Sequence, residues 1–208
     1  MKVNNSFYKL SKEKQINIVN AGLKYFGKYD YQKANTAAIA ETAGISKALL
    51  FYYFKNKKDY FLFLCDYCKT VSESIMDNEK KSNITDFFEM VDFAIETKIK
   101  IIEQYPYFTD FTLKVFHSSN KDICNMPQNI ETMISNSFNI YFNNIDFSKF
   151  KEGINPKEIY RMIIYLSEGY LSEELRKDIP ININNIMQQF KKWKDLFKKM
   201  CYKEEYLL

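Results

Sequence analysis

Apolar side chains return every third or fourth position along almost the whole chain, and that period is the period of an α-helix. Ile16, Val19, Leu23 and Phe26 share one helical face behind Ser11, a natural N-cap. Phe61, Leu64, Cys68, Val71 and Ile75 form one stripe of a longer segment, and Tyr60, Phe63 and Tyr67 form a second. A helix apolar on two sides is expected between two layers. Ile84, Phe88, Val91, Ile95, Ile99 and Ile102 continue the pattern up to Pro106, and a shorter helix is expected from there to His117. Ile130, Ile134, Phe138 and Tyr141 mark the next. Asn155-Pro156-Lys157-Glu158 then sets a cap, an N1 proline and an acidic N3 in order ahead of Ile159, Met162, Ile163, Leu166 and Tyr170. In the last segment Ile183, Ile186, Phe190, Trp193, Phe197 and Met200 step by 3, 4, 3, 4 and 3, which is a heptad seam. No segment alternates as a strand does, so the expected class is all-α. The polar stretches 76–83, 118–126 and 143–154 read as a linker and two loops.

Composition narrows what such a helical chain does. With 46% hydrophobic residues, 5 Gly and 4 Pro, it is neither disordered nor collagen-like. The longest apolar run, Ala48–Phe54, falls far short of the roughly 20 residues of a membrane span. No apolar leader segment stands near the N-terminus, so a soluble, cytoplasmic protein is expected. Cys65, Cys68, Cys124 and Cys201 do not amount to a disulfide framework, and with His117 as the sole histidine they do not complete a zinc site. One histidine also cannot supply the paired Glu-x-x-His ligands of a di-metal bundle. No nucleophile–base arrangement is recognisable, so neither enzyme activity, nor a metal, nor a cofactor is expected.

Charge is divided unevenly. Residues 1–60 contain 11 Lys against Glu13, Asp30, Glu41 and Asp59, a net of +7, which leaves −3 for the rest of a chain of net charge +4. A basic end of this kind is an electrostatic footprint for nucleic acid.

The basic end also carries the most specific motif. Two short helical segments, Thr36 to about Thr42 and Ser46 to Phe54, are joined by Ala43-Gly44-Ile45, the pattern of a helix-turn-helix. Thr36 and Ser46 are the expected caps, and Gly44 suits a left-handed turn position. Ile39, Ala40, Ile45, Leu50 and Phe54 are expected to form the small core. Asn56, with Asp59 three residues on, opens the following helix. The second segment is expected to enter the major groove by its N-terminal end, so Ser46, Lys47, Ala48 and Leu49 lie nearest the bases. Lys47 is the candidate for a guanine, and Ala48, Leu49 and Phe51 for thymine methyls. Tyr52, Tyr53, Lys55 and Lys57, with Thr36 and the helix start beside it, are candidates for phosphates. Phe51-Tyr52-Tyr53-Phe54 covers a full helical turn and cannot all face one core; Phe54 is expected inside and Tyr52 outside.

From about Ile18 to Tyr60 the chain resembles the DNA-binding region of the TetR family of bacterial transcriptional regulators. The resemblance rests on Ala21-Gly22-Leu23, Tyr25-Phe26, Tyr31, Asn35-Thr36, Ile39-Ala40, Ala43-Gly44-Ile45-Ser46-Lys47, Leu50-Phe51-Tyr52-Tyr53-Phe54 and Asn56-Lys57. Three positions depart from the family pattern: Asp30 for a usual Gly, Ala48 for a frequent Gly, and Lys58 for a usual acid. Asp at position 30 is expected to take the left-handed conformation that Gly would.

The resemblance implies a DNA-binding domain over residues 1–56 and a ligand-binding and dimerisation domain over 57–208. It implies a homodimer joined through the last two helices, here by Ile163, Leu166, Gly169, Tyr170, Ile186, Phe190, Trp193 and Phe197. Gly169 mid-helix suggests close approach at a crossing. Packing within one chain is the competing reading of the seam, and the resemblance favours the dimer. The resemblance also implies an inducer pocket, for which Phe63, Tyr67, Phe88, Phe93, Tyr105, Phe108, Phe111, Phe138, Tyr141 and Tyr165 are candidate lining and His117 a candidate anchor. The implied partners are a double-stranded, pseudo-palindromic operator, a second copy and a small, largely apolar or aromatic inducer, with repression as the family's commonest mode. A protein partner in place of the small molecule, or no effector at all, is the competing reading.

Overall fold

Side-chain caps fix where most of the helices begin. Ser11 accepts from the Lys14 N–H, Ser46 from Leu49, Asn56 from Asp59 and Asn182 from Asn185. Asp86 accepts from Phe88 and Glu89, and Asn155 from Lys157. The computed structural model describes residues 3–76, 78–117, 130–176 and 182–207, with the backbone alone for Phe116, His117, Ile130, Leu175 and Arg176. Its helices are α1 (Asn5–Tyr8), α2 (Lys12–Lys28), α3 (Thr36–Thr42), α4 (Lys47–Phe54), α5 (Lys57–Ile75), α6 (Asn78–Ser82), α7 (Phe87–Gln104), α8 (Phe108–His117), α9 (Ile130–Tyr141), α10 (Pro156–Arg176) and α11 (Ile183–Cys201). Among the described residues there is no strand, only an isolated antiparallel bridge between Phe150 and Tyr202. The all-α class is therefore the observed one.

The chain divides into two compact units, residues 1–76 with 97–130 and residues 77–96 with 131–208. A boundary at residue 56 does not coincide with this division. Helix α5 belongs to the first unit because Phe61 meets Phe26 edge-on at 5.1 Å and Phe63 packs on Phe54 at 4.8 Å between ring centroids. Each buried aromatic of this kind contributes roughly 1.5–3 kcal/mol.

Helix α2 is the axis of the first unit, and two glycines let its neighbours come close. A Cβ on Gly22 would collide with the Tyr60 hydroxyl and with Leu64 of α5. A Cβ on Gly27 would lie 2.9 Å from both the Asp110 Cβ and the Phe111 backbone nitrogen of α8. Asn20 donates its side-chain amide to the Gln104 carbonyl at 3.1 Å, and Lys114 pairs with Asp30 at 2.8 Å. Asp30 is not in the left-handed region. Its role is this ion pair: the hydrogen bond and charge of Lys114 hold its carboxyl below the usual range.

The second unit is closed by packed aromatics. Phe87 packs on Phe142 at 4.7 Å, and Phe88 meets Tyr202 edge-on at 5.0 Å. Asp86 is buried and accepts from the Lys149 ammonium at 2.8 Å as well as capping α7. Burial by itself would raise this carboxyl, but the bonds from Lys149 and the Glu89 N–H outweigh it and hold it low. Tyr160 donates to the Ser137 hydroxyl at 3.0 Å, and burial pushes its phenol up to about 12.

Several elements differ from the sequence expectation. Helix α7 starts at Phe87 rather than Ile84 because Asp86 is its cap. The linker over 76–83 contains α6. The loop over 143–154 contains a 3-10 turn, Phe147–Lys149, capped by Asp146. Helix α1 has no counterpart in the sequence reading. The loop over 118–126, with Cys124, lies outside the described residues.

Candidate nucleic-acid interface

Helices α3 and α4 make a tight helix-turn-helix. Gly44 has φ 69°, with nothing within 4 Å of the place a Cβ would occupy, and the Ile45 N–H returns to the Ala40 carbonyl at 2.9 Å. Ile39, Ala40, Leu50 and Phe54 are each at most 1% exposed, so the motif is closed by its own small core.

The capping of α3 differs from expectation. Asn35, not Thr36, is the N-cap, its side-chain oxygen accepting from Ala37 and Ala38. Thr36 is the first helical residue. An Asn beside a Thr at a helix start gives two equivalent capping signals, and backbone geometry chooses the one a residue earlier. Ser46 is exposed and caps α4, accepting from the Leu49 N–H at 3.1 Å.

On α4, Lys47, Ala48 and Tyr52 are exposed, and Leu49 and Phe51 are half-buried. The Lys47 ammonium stands 5.8 Å from the centre of the Phe51 ring, so cation and ring share one face of the leading turns. Tyr52 is 57% exposed and Phe54 fully buried, the division expected of the aromatic run.

Two expected phosphate contacts are placed otherwise. Tyr53 is only 6% exposed, because Phe7 of α1 packs edge-on against its ring. Lys57 turns inward. Its ammonium donates to the Gln32 carbonyl at 3.0 Å and lies 5.0 Å over the Tyr31 ring, and burial holds it below the usual lysine range. Lys55 remains exposed at the end of α4. The part played by α1 was missed by sequence reasoning, although Val3, Phe7 and Leu10 already carry helical spacing.

Residues 18–62 match the sequence profile of bacterial regulatory proteins of the tetR family. Over this segment the chain carries the DNA-binding region of the TetR family. It is a DNA-binding transcriptional regulator and not an enzyme. Solved structures share the TetR fold over nearly its whole length. A TetR-family regulator from Chloroflexus aurantiacus is 14% identical, with TM-score 0.64, over 98% of this chain and 100% of that one. CprB, a TetR-family protein from Streptomyces coelicolor, is 11% identical, with TM-score 0.64, over 94% and 95%. FadR from Bacillus subtilis, solved with stearoyl-CoA, is 16% identical, with TM-score 0.50, over 84% and 96%. No curated protein matches the sequence.

The residues expected to line an inducer pocket are divided between the units. In the first, Phe63 is core beside Phe7 and Phe54, and Phe111 packs on Phe61. Tyr67 and Tyr105 share a hydrogen bond at 2.9 Å, and Phe108 is half-buried. In the second, Phe88 and Phe93 are buried, Phe138 stacks on Phe142, Tyr141 is half-buried, and Tyr165 is exposed. The His117 side chain lies outside the described residues. Phe63 in particular is a correction: it packs against Phe54 of the helix-turn-helix and Phe7 of α1.

The expected dimer residues also sort by exposure. Ile186 and Phe197 are buried within the chain, each 7% exposed. Tyr170 meets Trp193 edge-on at 5.4 Å, which ties α10 to α11 internally. Leu166 and Gly169 are exposed, and nothing lies within 4 Å of Gly169. They continue a stripe with Met162 and Tyr165 at i, i+3, i+4 and i+7, all exposed. On α11 the exposed apolar residues are Leu196 and Met200. Ile186 and Phe197 of the helical seam are thus packed internally, whereas Met200 of the same seam is exposed. Among the described residues no helix is long and apolar enough to cross a membrane, and no group of acids, Cys or His that would hold a metal ion is found.

Proposed function

We propose that this chain is a homodimeric repressor, released from a pseudo-palindromic operator by a small, largely apolar or aromatic ligand. The observation that carries the dimer is the exposed stripe Met162, Tyr165, Leu166 and Gly169 on α10, together with the exposed Leu196 and Met200 of α11. Gly169 leaves room for a second helix to approach closely. A dimer sets two α4 helices into successive major grooves, about 34–36 Å apart. Lys47, Ala48, Leu49 and Phe51 then face base edges, and Tyr52 and Lys55 face the backbone.

The ligand reading draws on two supports. The similar fold of FadR was solved with stearoyl-CoA, an apolar chain on an anionic head. In the second unit Val91, Ile95, Ile163, Leu166, Phe190, Trp193 and Phe197 enclose an apolar crevice that Lys194 also lines. Lys194 is paired with Asp92 at 2.6 Å. The crevice encloses about 10 Å³, close to the minimum for one water, so a ligand there must part α10 from α11. The same closure favours the second reading, a dimer controlled by a protein partner or by no effector.

The test is sedimentation and operator selection with the full chain. The wild type is expected to sediment as a dimer and to select a two-fold symmetric sequence, and Leu166→Glu to sediment as a monomer. A wild-type monomer, or selection of an asymmetric single site, sinks the dimeric repressor. Long-chain acyl and aromatic compounds added to the protein–DNA complex separate the readings. Release by either supports the ligand, and indifference to both supports control without one.

A further inference from the structure

The crevice of the second unit and the open face of α10 share a side chain. Leu166 lines the crevice beside Ile163 of α10 and Trp193 and Phe197 of α11. It is also 42% exposed, in the stripe with Met162 and Tyr165. On α11 the exposed Leu196 and Met200 alternate in the same way with Trp193 and Phe197. Crevice and open face are therefore two sides of the same helical turns.

A second observation concerns how the crevice is closed. Tyr170 of α10 meets Phe190 at 6.3 Å and Trp193 at 5.4 Å, both edge-on, which holds α10 against α11. The enclosed space is about 10 Å³, so an occupant larger than a water displaces these turns rather than filling a void. Among the described residues its one charged lining group is Lys194, whose ammonium is paired with Asp92 at 2.6 Å. The Lys194 side chain is 20% exposed and that of Asp92 43%. Asp92 is therefore the partner that can return to water when another anion takes its place.

We propose that filling this crevice and closing the dimer face oppose each other, and that the filling ligand is an apolar molecule with an anionic head. Its body parts α10 from α11, and its head replaces Asp92 at Lys194. Met162, Tyr165 and Leu166 then move relative to Leu196 and Met200, and the face that a second copy needs is no longer presented in one piece. By linkage the second copy weakens the ligand by the same factor. The inference rests on the dimeric reading and gives it a means of regulation. The ligand lowers the affinity of one copy for another, and the operator loses its paired half-site contacts by mass action. This differs from a change of spacing within a dimer that stays together.

Trp193 is the sole tryptophan of the chain, so its fluorescence reports on the crevice. The experiment follows energy transfer from Trp193 to anilinonaphthalene sulfonate, and sedimentation velocity over a protein dilution series, with the full chain. Bound probe is expected to raise the dimer dissociation constant by about 5–150-fold, and the affinity for probe is expected to rise by the same factor on dilution to monomer. Gly169→Glu, on the open face with nothing within 4 Å, is expected to be monomeric and to bind the probe as the diluted wild type does. Lys194→Gln is expected to weaken the sulfonate about tenfold and to leave its uncharged relative, phenylnaphthylamine, unaffected. Asp92→Asn is expected to strengthen the sulfonate. A dimer constant unchanged by bound probe, or no energy transfer from Trp193, overturns the inference and leaves the dimer standing. Dissociation by the sulfonate that is as strong in Lys194→Gln as in the wild type assigns the probe to the open face and overturns it too. A wild type that is monomeric without probe removes the dimeric reading, and the inference falls with it.

Discussion

The Tyr60 hydroxyl donates to the carbonyl of Ile18 across the space where Gly22 has no side chain. Tyr60 is fully buried, and burial holds its phenol far above the usual range, so it is a fixed donor throughout the accessible pH range. The bond pins α5 to α2 at the point where the two come closest.

Gly22→Ala is therefore expected to destabilise the protein by about 2–4 kcal/mol, combining overpacking with the loss of a buried hydrogen bond. Tyr60→Phe alone is expected to cost about 1 kcal/mol. In the double variant the methyl no longer meets a hydroxyl, so the sum is less than additive. Urea denaturation of the three variants checks this, and strict additivity would show that the methyl and the hydroxyl do not meet.

Asp86 and Lys149 give a prediction with a pH signature. The folded Asp86 carboxyl is depressed, so its contribution is present above the unfolded carboxylate pKa and is lost as pH falls through the folded one. Lys149 is raised, first by its hydrogen bond to Asp86, so its contribution is present below the unfolded lysine pKa and is lost as pH rises through the folded one. Asp86→Asn retains an amide able to cap α7 but leaves Lys149 without its charge partner. It is expected to cost about 3 kcal/mol at pH 7. The difference from wild type should shrink below about pH 4 as the wild-type carboxyl protonates. A difference independent of pH from 3 to 7 would assign the effect to packing.

Two lysines that look alike in the sequence are expected to behave differently. Lys47→Ala is expected to relax base preference at one position, by about 1–3 kcal/mol of discrimination, with little change in stability. Lys57→Ala is expected to lower stability by about 1 kcal/mol, through the lost hydrogen bond to Gln32 and the lost contact with Tyr31, and to leave the salt slope intact. Melting curves beside a salt series distinguish them. A reduced slope for Lys57→Ala would return that lysine to the DNA backbone.

Asp110 has the opposite sign to Asp86. Burial against Gly27 raises its carboxyl, so the native state binds that proton more tightly and stability falls as pH rises through its titration. Asp110→Asn is expected to melt higher than wild type at pH 7, and the gain should vanish below pH 4. A gain that persists in acid would point to packing rather than charge.

How much of this was legible in the sequence follows the range of each interaction. Gly44, Ser46 and Asn56 act within a few residues, so their turn and caps could be read directly. The exposure of Tyr52 and burial of Phe54 followed from helical geometry alone. Phe63 could not be placed, because both stripes of α5 are apolar and only the packing of Phe7 and Phe54 shows which faces the helix-turn-helix. Lys57 looked like a phosphate contact because its acceptor, the Gln32 carbonyl, leaves no trace in side-chain identity. The heptad seam of α11 was visible, but period says only that a face is covered. Tyr170 covers Trp193 from within the chain, and the exposed stripe is set by what the chain leaves uncovered.

The recognition helix is closed at its far end by residues from much earlier in the chain, through the Asn4 bond to Tyr53 and the burial of Phe7. Residues 3–8 are thus a remote part of the reading head. A proteolytic nick, a bulky fusion or a purification tag placed just ahead of Val3 would alter how α4 meets DNA without touching a base.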